Sequence, residues 1–344
     1  MGRRVWKLRL RRRLRLAVSA ALPCAALGVA AVATAGSVPA ASATRIAFAT
    51  PGNSGTTCDG QICTVDQRGA ALKRLTTSAL LAKADKAGCG GKGPCLAQEP
   101  TFSKNGTRIV FQAVGLNNFG ELWVMNADGS HLTPLTATNA MVGIDHPTWS
   151  PDGATIVFSA QSTIDAPREI WTIQASGAGL HMLTNPSTRP FASQPAWSPN
   201  GRLIAFSSYE GTGGSGPSNP AAIYVMNEDG TNIHRLPAAS PGPEQDPAWS
   251  PDGKWLVFSQ LSVTWDTDHI ATIYKMSLDG SNARALTKGS WDGEPAVSPD
   301  GKKIGFYRTH GTGGHPHVFI VNADGSGLHQ LVTIEANAPS WGKA

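Results

Sequence analysis

Short apolar segments separated by glycine- and proline-containing turns recur along the chain after residue 44. Two examples are Thr155-Ile-Val-Phe-Ser and Ile223-Tyr-Val-Met-Asn. Segments of this length, rich in β-branched and aromatic residues and bounded by turn formers, are typical of β-strands. The pattern predicts an all-β chain.

One motif repeats at a nearly constant interval. It occurs as Pro100-Thr-Phe-Ser, Pro147-Thr-Trp-Ser, Pro195-Ala-Trp-Ser, Pro247-Ala-Trp-Ser, Pro295-Ala-Val-Ser and Pro339-Ser-Trp-Gly. A Pro-Asp-Gly type of turn and three further strand patterns follow each of the first five copies, and the second hairpin has an Asp-Gly turn. A repeat of this length with four short strands is typical of a β-propeller blade.

The two ends of the repeat region complement each other. Residues 45–49 have the pattern of a second strand with no first strand before them, and the chain finishes on the first-strand pattern at Pro339. We therefore predict a six-bladed β-propeller of four-stranded antiparallel blades over residues 44–344. In this prediction the C-terminal strand joins the N-terminal blade and closes the circle.

The repeated Pro-x-Trp-Ser-Pro-Asp-Gly motif resembles the WD-like repeat of the TolB-like β-propeller family. The resemblance extends over about residues 44–344 and concerns the propeller part only, without the α/β domain that precedes the propeller in the family's namesake. That namesake is a periplasmic component of the Tol–Pal envelope system. The resemblance implies a propeller fold, but a fold of this kind carries many functions.

The first 43 residues have the composition of a leader. A basic run is followed by an alanine-rich apolar stretch to about Ala35 and by Ala41-Ser-Ala at the end. These are the three parts of a secretory signal peptide. We expect residues 1–43 to be cleaved, with an uncleaved anchor as the alternative. After cleavage, no apolar run is long enough to span a membrane.

The net charge of +5 comes from the leader. Its first 16 residues hold eight of the 29 basic residues, which leaves 21 basic against 24 acidic residues elsewhere. The rest of the chain therefore gives no support to nucleic-acid binding. Only 15% of the residues are charged, and glycine and proline are frequent, which suits an exported all-β protein. We expect a bacterial monomer in a periplasmic, cell-wall or extracellular location.

Four cysteines remain after the leader. In an oxidising compartment an even number predicts disulfides, and the local pairing is one of three connectivities. A zinc site is the alternative, although the spacings are not the usual ones. The local pairing joins Cys58 to Cys63 and Cys89 to Cys95.

A polar residue precedes the motif proline in five of the six repeats. We place these residues at the entrance of the innermost strands, around the channel mouth on the face with the long loops, because variable loops on a rigid scaffold often carry function. We interpret them as a ring that binds a cation, a polar ligand or a peptide. The alternative is a solvated rim that caps free backbone groups. The residues are Glu99, His146, Gln194, Asp246 and Glu294, with Ala338 in the sixth repeat.

Two neighbouring loops contain further candidates. Trp265 lies outside the repeat, where an exposed aromatic would suit ligand or partner contact, whereas the tryptophans of the repeat are expected between blades. Carboxylates and imidazoles together suit a divalent transition metal, the one candidate cofactor. No recognised ligand spacing is present, so ordinary loop histidines are the alternative. The candidate ligands are Asp266, Asp268, His269, His315 and His317.

Motifs for nucleophilic catalysis are absent from the sequence, which has no Gly-x-Ser-x-Gly elbow. We therefore predict an exported binding or scaffold propeller that interacts with a protein, peptide or glycan in the cell envelope through its loop-rich face. The alternative is a secreted metal-dependent lyase or hydrolase at the channel mouth, with Asp246 and Glu294 as an acid/base pair.

Overall fold

The structure is a computed structural model. It describes residues 44–52, 58–84, 95–115, 120–137, 141–185, 191–209, 220–239, 241–262, 270–288, 290–309 and 314–343. The predicted leader, residues 1–43, lies outside this part of the chain. Within the described residues the protein has 24 β-strands and one short helix.

The strands follow one another in groups of three longer strands and one two-residue strand. The first group is β1 (Arg45–Ala49), β2 (Ile62–Asp66) and β3 (Lys73–Arg74), followed by α1 (Ser78–Ala84). The next two groups are β4 (Leu96–Phe102), β5 (Arg108–Val114), β6 (Gly120–Asn126), β7 (Thr133–Pro134), β8 (Val142–Trp149), β9 (Thr155–Gln161), β10 (Arg168–Gln174) and β11 (His181–Met182).

The second half of the chain continues the same order. It contains β12 (Ala192–Trp197), β13 (Leu203–Ser208), β14 (Ala222–Asn227), β15 (His234–Arg235), β16 (Glu244–Trp249), β17 (Trp255–Leu261), β18 (Ala271–Ser277) and β19 (Arg284–Ala285). The last strands are β20 (Trp291–Val297), β21 (Lys303–Thr309), β22 (His317–Asn322), β23 (His329–Gln330) and β24 (Asn337–Gly342).

The strands form antiparallel sheets in the order of the chain. Four sheets have four strands each: β4 to β7, β8 to β11, β12 to β15, and β24 beside β1 to β3. The strands from β16 to β23 belong to a single eight-stranded sheet. The fold is an all-β propeller, as the sequence predicts.

Two parallel contacts join one group of strands to the next. Arg168 and Phe191 form an isolated bridge, and Ala271 with Trp291 joins β18 to β20 and merges β16–β23 into one sheet. The backbone N–H of Ala271 also donates to the carbonyl of Ser290. Because the connecting chain brings the start of β20 against the start of β18, two groups of four strands share an edge contact that the repeat pattern does not predict.

Recurrent side-chain contacts explain why each repeat forms the same hairpins. In the Pro-Asp-Gly turns, Ser150 Oγ donates to Asp152 Oδ1, which also accepts from the N–H of Ala154. The turn glycine Gly153 has φ of 72°, a conformation that glycine adopts without steric cost. At the outer edge, Thr136 Oγ1 accepts from the N–H of Leu122 and completes the third strand's pairing.

The core lies between neighbouring sheets. One apolar cluster combines Ala47 and Ile62 of the first sheet with Phe111 and Trp123 of the sheet that follows it. A second combines Phe48 with Val318 and Ile320 near the end of the chain. Adjacent sheets therefore hold one another by burial of apolar area, at about 25 cal/mol per Å². Among the described residues no helix is long and apolar enough to cross a bilayer.

Candidate functional site

A β-bulge interrupts each strand that carries the motif proline. In β4, Glu99 and Pro100 lie opposite the single residue Phe111, because pairing passes from Gln98–Gln112 to Thr101–Val110. Proline has no N–H to give to the ladder, so the strand accommodates it in the bulge. The described strands contain six such bulges, each opposite a buried phenylalanine: Phe48, Phe111, Phe158, Phe206, Phe258 and Phe306.

The residue before each proline has a left-handed backbone. Its φ lies between 48° and 56° in every repeat, a conformation that costs a non-glycine residue roughly 1–2 kcal/mol. Strain of this kind persists only where the surrounding structure enforces it, and it is common at functional sites. We call these residues the channel ring: Glu99, His146, Gln194, Asp246, Glu294 and Ala338.

The channel ring lies deeper than the sequence suggested. We expected its residues at the entrance of the innermost strands, on the face of the long loops. Glu99 is instead the fourth residue of β4 and His146 the fifth of β8, whereas Ala338 is only the second residue of β24. The reason is that pairing begins several residues before the proline bulge. The role of these residues as a binding ring stays a prediction.

A central cavity of about 520 Å³ extends from the channel ring along the six strands. It continues towards the C-terminal ends of these strands, where the short Pro-Asp-Gly turns lie, and none of the described long-loop residues lines it. Its walls are apolar and aromatic and come from Phe102, Trp149, Trp197, Trp249 and Trp341, with the prolines of each motif. The short-turn face therefore carries the cavity.

Most of the repeat tryptophans connect neighbouring strands of the cavity wall. Trp149 Nε1 donates to the carbonyl of Thr101 at 3.1 Å, and Trp249 Nε1 to that of Ala196 at 3.0 Å. Trp341 makes the corresponding bond. Trp197 differs, since its Nε1 donates to Gly201 in its own turn. The indoles thus hold the sheets together, as the sequence predicts, and also line the cavity.

Ring side chains cap the backbone of the next strand. The N–H of Glu294 donates to Asp246 Oδ2 at 3.3 Å, and the N–H of Asp246 donates to Gln194 Oε1 at 3.4 Å. Glu99 accepts in the same way from His146. These bonds satisfy N–H groups that the bulge removes from the ladder. The capping role that the sequence left as an alternative is therefore real, but an amide such as Gln194 performs it without charge.

His146 is surrounded by carboxylates. Its Nδ1 lies 3.5 Å from Asp145 Oδ1 and 3.8 Å from Glu99 Oε1, and its Nε2 lies 3.6 Å from Asp246 Oδ1. Both ring nitrogens are shielded from solvent and neither makes a hydrogen bond in the described structure. Burial opposes the charged imidazolium, but the carboxylates of Glu99, Asp145 and Asp246 outweigh it and raise the pKa of His146 well above its usual value.

Two ring carboxyls have a raised pKa. Burial, together with the negative charges of Asp246 and Glu99, raises the pKa of Glu294 to about 8, although His146 opposes the shift. Burial also raises the pKa of Glu99, with His146 again opposing it. When a cation enters the ring, a carboxyl that is protonated there can release its proton to solvent and bind the cation as a carboxylate.

One subset of the channel ring has the composition of a metal site. Ligand atoms of Glu99, His146 and Glu294 all lie within 4.8 Å of one another. An imidazole and two carboxylates suit a divalent transition metal. Glu294 Oε2, like the nitrogens of His146, is buried and makes no hydrogen bond.

The chain matches the model of the TolB β-propeller domain over residues 145–344, which is more than half of its length. The chain belongs to the TolB β-propeller family. The Tol-Pal system protein TolB of Francisella tularensis subsp. tularensis is 26% identical over 122 residues, which cover 33% of this chain and 27% of that protein. TolB of Zymomonas mobilis subsp. mobilis is 37% identical over 68 residues, 20% of this chain and 15% of that protein.

Solved TolB structures share the fold. The crystal structure of TolB from Acinetobacter baumannii aligns with a TM-score of 0.67 and 18% identity, and the alignment covers 87% of this chain and 66% of that one. At this identity the likeness concerns the fold alone. The chain matches only about a quarter or less of the length of the curated TolB proteins.

In this TolB-family propeller, no described residue of the predicted metal loops lies in the channel ring. Trp265, Asp266, Asp268 and His269 lie outside the described residues. His315 Nδ1 lies 2.9 Å from Glu335 Oε1, and His317 Nδ1 lies 3.1 Å from the carbonyl of His315. His315 is exposed and His317 is half-buried at the start of β22, and the metal-compatible group found in the described residues is the ring instead.

One predicted disulfide is present. Cys58 and Cys63 are bonded, with their Cα atoms 6.1 Å apart. Cys95 is also disulfide-bonded, and its partner lies outside the described residues, as does Cys89.

Three site residues were missed from sequence. Asp145 precedes His146 and pairs with Arg168, and Lys104 and Lys343 line the cavity mouth. The signal for the lysines was available, because they take the repeat position that proline fills in the other four copies.

Proposed function

We propose that this TolB-family propeller is an exported binding module of the cell envelope that takes a peptide segment of a partner protein into its central cavity. The cavity carries the proposal, because it combines a charged ring with aromatic and proline walls. A volume of about 520 Å³ is within the usual range for ligand pockets, roughly 300–1,000 Å³. Proline and indole surfaces are favourable contacts for peptides.

The proposal treats the sheets as a closed ring of six blades. The eight-stranded sheet is then two blades joined by the single pair Ala271–Trp291, and the pairing of β24 with β1 closes the circle. Support comes from the six equivalent bulges, each of which supplies one residue to the channel ring. A closed ring holds those residues at fixed separations, which is what a preformed binding site requires.

Export and location form part of the same proposal. The three-part leader over residues 1–43 supports secretion, and similarity to Tol-Pal system proteins supports a place in the envelope. The propeller itself would comprise residues 44–344 and act as a monomer. A partner in the envelope would reach the cavity from the short-turn face, and not from the loop-rich face that the sequence favoured.

A displayed peptide library tests the proposal. Peptides are selected on the immobilised protein, and their affinity is then measured by calorimetry for the wild type and for Asp246→Asn with Glu294→Gln. These substitutions keep the shape and capping oxygens while removing the carboxylates. We expect selected peptides to lose at least tenfold in affinity. The matched control is His317→Ala, at the start of β22 and outside the cavity lining, which should bind as the wild type does.

Equal affinity for wild type and the ring variant would refute the cavity as the binding site. A glycan array run on the same proteins decides the partner class. If glycans and not peptides bind in a manner that depends on the ring, the module recognises carbohydrate and the peptide proposal is wrong.

The second candidate is a metal-dependent enzyme, supported by the cluster of Glu99, His146 and Glu294. A metal held there would supply a Lewis acid, and Asp246, which lies outside the ligand set, would act as general base. Zn²⁺ and Mn²⁺ titrations by calorimetry test it. One ion bound per chain, lost on His146→Ala, together with lyase or hydrolase turnover, would favour this function over simple binding.

A further inference from the structure

Two lysines mark the mouth of the cavity on the short-turn face. Lys104 and Lys343 follow the fourth residue of the repeat motif, where the other four copies have proline. Both line the cavity. Lys104 Nζ donates to the carbonyl of Pro199 at 3.0 Å, so its side chain reaches past the end of β8 to the turn after β12. The cavity mouth is therefore basic, and the Lys104 side chain spans part of it.

The opposite end of the cavity is acidic. The channel ring and its neighbour Asp145 bring together four carboxyl groups, and the cationic groups that face them are His146 and the Arg168 guanidinium. Carboxylates there are already partly neutralised, yet Glu294 Oε2 is buried and has no hydrogen-bond donor. A ligand cation at this end would supply that donor.

The separation of the two ends defines a ligand length. Glu99 and Lys104 are five residues apart, but β4 ends at Phe102 and Lys104 lies in the turn that follows. The strand rise of about 3.3 Å per residue therefore sets an upper limit of roughly 16 Å for the distance between the acidic ring and the basic mouth. An extended peptide covers that distance with about five residues.

We propose that the cavity binds an extended peptide with a basic residue and an acidic residue five positions apart. The ammonium group enters the channel ring beside Glu294, and the carboxylate lies between Lys104 and Lys343. This inference rests on the proposed function and adds the chemistry and spacing of the ligand. It also assigns Lys104 a role, because a ligand carboxylate competes with Pro199 for its ammonium group and opens the mouth.

Synthetic peptides test the charge pattern directly. Calorimetry compares acetyl-Lys-Ala-Ala-Ala-Ala-Glu-amide with versions in which glutamine replaces the lysine, the glutamate or both. We expect the doubly charged peptide to bind at least tenfold tighter than either singly charged one. A peptide with only two alanines between the charges should lose this advantage, since it cannot reach both ends.

Variants assign each charge to its end of the cavity. Lys104→Ala with Lys343→Ala should abolish the preference for glutamate over glutamine and leave the preference for lysine intact. Glu294→Gln with Asp246→Asn should do the reverse. Lys104→Glu with Lys343→Glu should prefer a peptide with lysine at both ends. The matched control is Lys302→Ala, in an equivalent short turn that does not line the cavity.

The outcomes separate this inference from the function on which it rests. In one outcome, library peptides bind through the ring, the lysine variants bind like the wild type, and the neutral peptides bind like the charged peptide. The binding module then stands and the paired-charge ligand is wrong. The same conclusion follows if the wild type binds library peptides but none of the designed peptides. If neither kind binds, both proposals are refuted.

Discussion

His146 Nε2 lies 3.6 Å from Asp246 Oδ1, although β8 and β16 belong to different sheets with a third between them. The contact crosses the channel and connects residues that are 100 positions apart in sequence. Charges at this separation interact strongly only where water is partly excluded. The ring therefore behaves as one electrostatic unit.

The stability of the protein should fall as the pH rises from about 4.5 to about 8. The folded protein holds a proton on Glu294 up to a pKa of about 8, whereas the unfolded chain releases it near 4.5. The stability that this raised pKa contributes is complete at pH values below the pKa of the unfolded chain. It is lost as the pH rises through the pKa of the folded protein. Glu294→Gln should flatten this dependence by at least about 1 kcal/mol, the equivalent of one pKa unit.

Urea unfolding at several pH values measures the effect of Glu294→Gln, with Glu335→Gln as a control outside the ring. A variant whose pH dependence matches that of the wild type would show that Glu294 is ionised at neutral pH.

Removing the imidazole should destabilise the protein at neutral pH. His146→Gln leaves Glu99, Asp145 and Asp246 without the cation that lies among them. The expected loss is about 2 kcal/mol at pH 7.5, between the values for exposed and buried ion pairs. The loss should shrink at pH 5, where Glu99, whose pKa is raised by burial, takes up a proton. Urea midpoints at both pH values test this, and an unchanged midpoint at pH 7.5 would contradict it.

Two tryptophans of the same motif should differ in importance. Trp149→Phe removes the donor to the Thr101 carbonyl on the neighbouring strand, which should cost about 1–2 kcal/mol. Trp197→Phe removes only a bond within its own turn, where water can take its place, and should cost less. Thermal unfolding of both variants provides the comparison. Equal losses would mean that ring packing, and not the indole N–H, sets the contribution.

Ala338 should tolerate asparagine but not valine. Its φ is 48°, a conformation open to asparagine and unfavourable for β-branched side chains. Ala338→Val should lose about 1–2 kcal/mol, and Ala338→Asn should stay within roughly 0.5 kcal/mol of the wild type. Chemical denaturation measures both. A valine variant as stable as the asparagine variant would show that the bulge can relax.

The repeat made the fold predictable. The Pro-x-Trp-Ser motif predicts the propeller, because proline, the Asp-Gly turns and the tryptophans act locally and recur in each unit. It also identifies the ring residues, since each precedes a motif proline. The sheet that merges β18 with β20 was not predictable, because the pair Ala271–Trp291 depends on the path of the connection and not on the motif.

The depth of the channel ring and the face on which the cavity opens could be found only from the structure. The number of residues that pair before each bulge determines how deep Glu99 and His146 lie, and strand starts are poorly marked in sequence. Because the ring lies inside the strands, the cavity that begins at the ring extends to the short-turn face. The motif also does not show that His146 and Asp246 are in contact. Their strands belong to different sheets, and only the arrangement of the sheets brings the two side chains together.

The pairing of β24 with β1 has a mechanical consequence. Arg45, the first residue of β1, pairs with Gly342, the last residue of β24. A pulling force applied to the two outer ends of these strands would load that pair alone and then the next, as in a zipper, and would not shear the whole ladder at once. Tension between the N- and C-terminal ends of the described chain would therefore open the structure at this seam at low force, while the other sheets stayed folded.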